Sequence, residues 1–196
     1  MAPGARANAV QLPEVSPPVI PPFRRVNGFE RPFDAHQVAS WVVFTLLMAS
    51  FLVLYSPVHA NALGFVLTAA YSVLAITVVW SAAKCMQIDP KDRGVATDGS
   101  ARHWCYYCEK NVNNRSKHCR RCNKCVEVFD HHCPWLNTCI GKHNYSHFLV
   151  LLSSVFALMS LQMATSVQVG RRHNRCPVPR SHATKAVKRT ALLPGA

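Results

Sequence analysis

Apolar and polar positions are segregated into long blocks in this 196-residue chain. From Asp34 to Lys84, 49 intervening residues carry no Asp, Glu, Lys or Arg, and a second uncharged stretch of 28 residues runs from His143 to Gly170. About 18 or more apolar residues suffice for a helix to cross hydrocarbon. Residues 38–55, 62–83 and 148–169 meet that length. The first two are separated only by a short polar break around Pro57, His59 and Asn61, so they predict a transmembrane helical hairpin; Tyr71 and Trp80 suit the interface. A purely soluble domain is excluded.

The polar blocks complete the layout. Residues 1–37 are Pro-rich, with Pro17, Pro18, Pro21 and Pro22 close together, and predict a mobile arm; the first apolar run lies too far from Met1 for a signal peptide. Residues 84–147 hold eleven Lys/Arg, six Asp/Glu and eight of the nine cysteines, and predict a compact polar insert. Residues 170–196 carry seven Lys/Arg and no acid, and predict a disordered basic tail.

The net charge of +13 and pI of 9.7 raise the possibility of nucleic-acid binding. The basic residues are split among arm, insert and tail by membrane-length runs, which leaves no continuous footprint. The lipid bilayer is the expected partner, and nucleic acid is not. Arg24, Arg25 and Arg31 precede the first run and the break has no Lys or Arg, so the arm and the insert are expected on the cytosolic side. A third crossing then puts the basic tail in the lumen, against the usual bias. Spans of roughly twenty residues suit endoplasmic reticulum or Golgi membranes.

Seven cysteines fall within residues 105–139. Cytosolic thiols stay reduced, so this clustering points to metal ligation and away from disulfides. Cys105, Cys108, His118 and Cys125 recur fourteen residues later as Cys119, Cys122, His132 and Cys139, both sets having the form C-x2-C-x9-H-x6-C. Three thiolates and one imidazole fill a tetrahedral shell, so two structural Zn2+ are expected. The predicted fold is an α-helical membrane protein with three transmembrane helices and a small, irregular two-zinc cysteine-rich domain between the second and third.

Two closed sites use eight groups and leave His131 and Cys133 beside Asp130. A thiol nucleophile, an imidazole base and an orienting carboxylate are one reading; an unused surface thiol beside a zinc knuckle is the other.

The stretch C-x2-C-x9-H-C-x2-C-x2-C-x4-D-H-H-C-x5-C-x4-N-x3-F, ending at Asn144 and Phe148, resembles the DHHC family of protein S-acyltransferases, or palmitoyltransferases. The resemblance implies a membrane enzyme in which Cys133 takes a fatty acyl group from acyl-CoA, usually palmitoyl-CoA, and passes it to cysteines of membrane-associated substrate proteins. His131 is then the base, Asp130 its orienter, and the eight repeat residues are the zinc ligands. Arg115, Lys117, Arg120 and Arg121 are candidates for the CoA phosphates or, equally, for anionic lipid, and Trp135 for the interface. His131 and the basic surroundings are expected to lower the Cys133 thiol pKa. Cys85, at the membrane edge, is a possible acylation site or an inert thiol.

Asp89-Pro90 resembles the family's Asp-Pro-Gly element, with Lys91 in place of Gly. Family members normally have at least four spans and a Thr-Thr-x-Glu motif, whereas this sequence has three candidate spans and no Thr-Thr pair. The expectation is an intact catalytic platform on an incomplete membrane half, as in a truncated or spliced product of impaired activity. The alternative is a membrane-bound zinc-binding adaptor.

Overall fold

The structure is a computed structural model that describes residues 23–55, 61–94 and 102–175. The rest of the arm, most of the break between the first two runs, and the tail from residue 176 lie outside the described residues.

Helix α1 (Ala35–Ser50) begins where the Asp34 carboxylate accepts the His36 amide at 2.9 Å, and it ends in one π-helical turn, Phe51–Tyr55. Helix α2 (Ala62–Gln87) is capped by Asn61, whose Oδ1 accepts the Gly64 amide at 2.9 Å, and stops ahead of Pro90. Helix α3 spans Tyr145–Arg175. All three outrun the apolar blocks that predict them. Lys84 and Gln87 do not interrupt α2, because a cation in the last turn complements the helix dipole. The extra turn carries Cys85 and Met86 out of the apolar run and onto the cysteine-rich domain.

Side-chain contacts define the bundle. Cys85 Sγ lies 3.8 Å from Asn144 O, and the Tyr71 hydroxyl donates to Gln162 Oε1 at 2.9 Å, so α2 and α3 are antiparallel. Gln37 reaches Met86 while Phe51 stacks on Tyr71 at 3.6 Å, which makes α1 antiparallel to α2 as well. The start of α1, the end of α2 and the start of α3 therefore meet at one end. Phe51, Tyr71, Ala75 and Leu158 form the interior between the helices. The outward faces are apolar, with Phe65 82% and Phe156 79% exposed, which suits hydrocarbon and not water. All three helices are long and apolar enough to cross a membrane.

The domain at that shared end consists of three antiparallel hairpins: β1 (Arg102–Cys105) with β2 (Lys110–Asn113), β3 (Lys117–Cys119) with β4 (Lys124–Val126), and β5 (His131–Cys133) with β6 (Thr138–Ile140). Glu109, Asn123 and Asn137, fourteen residues apart, adopt left-handed φ of 49°, 49° and 52° at equivalent points of the three tips. The fourteen-residue period thus occurs three times in the backbone, although only two ligand sets can be read from it.

The arm was expected to be mobile as far as residue 37, yet residues 23–34 are docked on the hairpins and α1 already starts at Ala35. The Arg25 amide donates to Cys122 O at 3.0 Å, the Gly28 amide to Met86 O at 2.8 Å, and Lys124 Nζ to Val26 O at 3.1 Å. Pro and Arg content reads as solvated chain, but the backbone polar groups of this segment find partners across the domain.

Candidate active site and metal centres

Each candidate metal site draws on two successive hairpins. The C-x2-C of one tip faces a His and a Cys paired directly across the next hairpin, His118 with Cys125 and His132 with Cys139. Directly opposed strand residues share a face, so each pair presents two ligand atoms side by side. In the first set, His118 Nδ1 lies 3.9, 3.3 and 3.9 Å from the sulfurs of Cys105, Cys108 and Cys125. In the second, His132 Nδ1 lies 3.7, 3.3 and 3.7 Å from those of Cys119, Cys122 and Cys139. The ligand atoms of each set all fall within 4.8 Å of one another. A tetrahedral Zn2+ with ordinary bond lengths holds its ligands about 3.5–4 Å apart, so both clusters fit one.

The crowded sulfurs compete for protons. Burial pushes the Cys125 thiol up, and hydrogen bonds with Cys119 and then Cys122 push up that of Cys139. A divalent cation removes this conflict by replacing the shared protons. Both clusters could hold a metal, and three soft sulfurs with one imidazole favour zinc.

The third tip differs. The same fourteen-residue step takes Cys105 and Cys119 to Cys133, but it takes Cys108 and Cys122 to Leu136. Cys133 therefore stands where a first knuckle thiolate would, without the second thiolate. Backbone amides of Leu136 and Trp135 hydrogen-bond to it, as those of Cys108 and Tyr107 do to Cys105. Along β5 the side chains alternate, so His132 turns to the metal cluster while His131 and Cys133 share the other face, opposite Ile140 and Thr138. His131 Nδ1 lies 3.3 Å from Asp130 Oδ2, and the His131 ring packs edge-on against Phe148 in the first turn of α3, centroids 5.2 Å apart.

Cys133 is buried, 6% exposed, in an apolar cluster with Cys85, Met86, Leu136 and Ile140. That burial pushes its thiol above the ordinary range, outweighing the two amide hydrogen bonds that favour the thiolate. The expected lowering is thus reversed, because apolar packing surrounds the sulfur. The Arg120 guanidinium sits over the Tyr107 ring and donates to its hydroxyl at 3.3 Å, and Arg121 lies 3.6 Å from Asp34. Arg115 follows the first hairpin, and its carbonyl accepts the Phe129 amide; Lys117 opens β3 with an exposed side chain. Trp135 projects from the third tip, half exposed, edge-on to His36 at 5.1 Å. Cys85 is fully buried.

The sequence reading named Asn144 and Asp89 only as motif positions, and it passed over Lys124 and Asn137. Asn144 is fully buried; its Nδ2 donates to Cys139 O at 2.9 Å and Cys85 O at 3.3 Å, while its Oδ1 accepts the Gly141 amide, joining hairpin, α2 and α3. Lys124, with no side-chain exposure, pairs with Asp89 at 2.6 Å. The equal spacing of Asn123 and Asn137 was a readable signal for the third tip, since Asn tolerates left-handed backbone.

The elements together define a class: a helical membrane protein carrying a cysteine–histidine metal domain whose third hairpin presents a spare thiol where the helices converge. Residues 99–175 match the family described as DHHC palmitoyltransferase. Over 56 residues it is 50% identical to "Palmitoyltransferase ZDHHC8" of Mus musculus and of Homo sapiens, a stretch that makes up 29% of this chain and 7% of those proteins. Over 54 residues it is 50% identical to "Palmitoyltransferase ZDHHC5" of Bos taurus, covering 28% of this chain and 8% of that protein. The matched segment is thus less than a tenth of the length of these relatives.

Proposed function

We propose that this chain is a protein S-acyltransferase in which Cys133 carries the acyl group. The observation that supports it most is the third hairpin tip, where a cysteine outside both metal clusters shares a strand face with His131, itself in contact with Asp130. In this reading His131, its Nδ1 oriented by Asp130, takes the Cys133 proton through Nε2. The thiolate attacks the acyl-CoA carbonyl, the Cys133 S–C bond forms, and the C–S bond to CoA breaks as His131 returns the proton to the leaving thiolate. A substrate cysteine then attacks the acyl-Cys133 carbonyl and regenerates the free enzyme. The Trp135 and Leu136 amides, already directed at Cys133 Sγ, favour negative charge on the sulfur.

Cys105, Cys108, His118 and Cys125 would hold one zinc, and Cys119, Cys122, His132 and Cys139 the other. Zinc supplies rigidity there, because each closed shell ties two hairpins together. Palmitoyl-CoA is the proposed acyl donor and membrane-associated proteins are the acceptors. Arg115, Lys117, Arg120 and Arg121 are the proposed phosphate contacts. The domain faces the cytosol in an endoplasmic reticulum or Golgi membrane.

The burial of Cys133 favours a second reading, a catalytically impaired family member or a membrane-bound zinc adaptor. One experiment separates them: labelling of the purified chain with palmitoyl-CoA, beside Cys133→Ser, with zinc measured in both. Hydroxylamine-sensitive label that disappears in Cys133→Ser at unchanged zinc content is the expected result. Undiminished label in that variant, or none in the unsubstituted chain, refutes the acyltransferase reading.

A further inference from the structure

The third tip has no metal to hold it, since Leu136 stands where the other two tips place their second cysteine, yet its backbone follows the same course as theirs. The contacts of residues 25–34 explain how. Asn137, 3% exposed, lies one residue beyond Leu136, and its Nδ2 sits 3.5, 3.4 and 3.2 Å from the carbonyl oxygens of Gly28, Glu30 and Pro32. These three carbonyl oxygens converge on one point of the tip, where an amide donor such as that of Asn137 is favoured and an acceptor is not.

The segment is also braced from within. The Arg25 guanidinium donates to the carbonyls of Glu30 and Pro32, the Val26 amide donates to Glu30 Oε2 at 2.9 Å, and Gln37 Nε2 donates to Gly28 O at 2.8 Å. Gly28 lies directly on the tip. A Cβ there would come 2.2 Å from Leu136 O and 2.8 Å from Met86 Cγ, so only glycine permits the approach.

We propose that residues 25–34 are a positioning strap that replaces the missing metal half-site of the third tip, with Asn137 and Gly28 as the positioning residues that set where Cys133 stands. The inference rests on the acyl-transfer reading. The strap leaves both metal clusters intact and acts on the nucleophile through residues 136 and 137. Loss of the strap frees the tip, uncovers the thiol, and moves it out of line with the acyl carbonyl.

The test uses the full chain in lipid nanodiscs with Asn137→Asp, which keeps the size and left-handed tolerance of Asn but loses the donor, and with Gly28→Ala. Three readings are taken: zinc per chain, the rate of Cys133 alkylation by iodoacetamide, and kcat and KM for acyl-Cys133 formation from palmitoyl-CoA. The expected result is unchanged zinc, faster alkylation, and kcat lower by about tenfold or more at little-changed KM. A general loss of folding would also speed alkylation and slow acylation, but it would release zinc, so unchanged zinc is the reading that assigns the effect to the strap. Wild-type alkylation and acylation rates in both variants would overturn the strap, and so would loss of zinc in both. If the unsubstituted chain forms no acyl-Cys133, the acyl-transfer reading fails, while alkylation alone still decides the strap: faster in the variants supports it, unchanged overturns it.

Discussion

Replacing Asp89 by Asn is expected to destabilise the hairpin domain more than replacing Lys124 by Met, although both changes break the same ion pair. Lys124 Nζ lies 2.6 Å from Asp89 Oδ1, and the lysine side chain has 0% exposure against 28% for the aspartate. In Asp89→Asn the ammonium stays in the interior, facing only neutral oxygens, among them Val26 O at 3.1 Å. Stripping a buried charge of its partner costs about 3–5 kcal/mol. In Lys124→Met the surviving carboxylate turns its exposed edge to water, and the methionine takes the space of the lysine's buried apolar stem. The remaining loss, an orphaned Val26 carbonyl and a partly buried carboxylate, is about 1–2 kcal/mol. The double variant should resemble Lys124→Met alone, giving a coupling energy of about 3–5 kcal/mol, the full cost of Asp89→Asn. For a domain of this size the gap between the single variants corresponds to roughly 10 °C in midpoint. The assay is thermal release of metal from the purified chain, read with a chromogenic chelator. An Asp89→Asn variant as stable as Lys124→Met would refute the argument, because it would mean that water reaches the Lys124 ammonium.

Three further outcomes are expected. His132→Ala should release one of two bound metals, whereas His131→Ala should keep both and lower acyl-Cys133 formation by about 10²–10⁴-fold, as metal analysis and labelling would show. The Asp92 carboxyl is buried, which alone would raise its pKa, but bonds from the Ser116 hydroxyl and the Asn113 and Gly94 amides outweigh this and hold it below the usual range. Its contribution is therefore complete above the unfolded value of about 4 and lost as pH falls through the lower folded value, so the midpoint gap between the unsubstituted chain and Asp92→Asn should be constant above about pH 5 and close in stronger acid. Tyr71→Phe removes the hydroxyl that bridges α2 to Gln162 of α3, and should cost about 1 kcal/mol in unfolding from detergent without altering metal content.

The sequence alone determined what depends on local spacing. Three membrane-length runs are legible because an uncharged block needs no tertiary knowledge to be recognised. The two ligand sets are legible because a tetrahedral metal imposes a fixed spacing on a short chain, and the fourteen-residue repeat shows that spacing twice. Setting aside His131 and Cys133 needed only subtraction. Tertiary structure decided everything that rests on contacts between distant segments. It laid residues 23–34 on hairpins a hundred positions away through backbone hydrogen bonds, which composition does not record. It carried α2 past Lys84 so that Cys85 and Met86 close over Cys133, and this burial reverses the pKa direction that neighbouring charges suggested. It also buried Lys124 completely, a residue that reads in sequence as surface charge. Whether a thiol or an ammonium is solvated depends on which remote segments cover it, and local pattern carries no information about that.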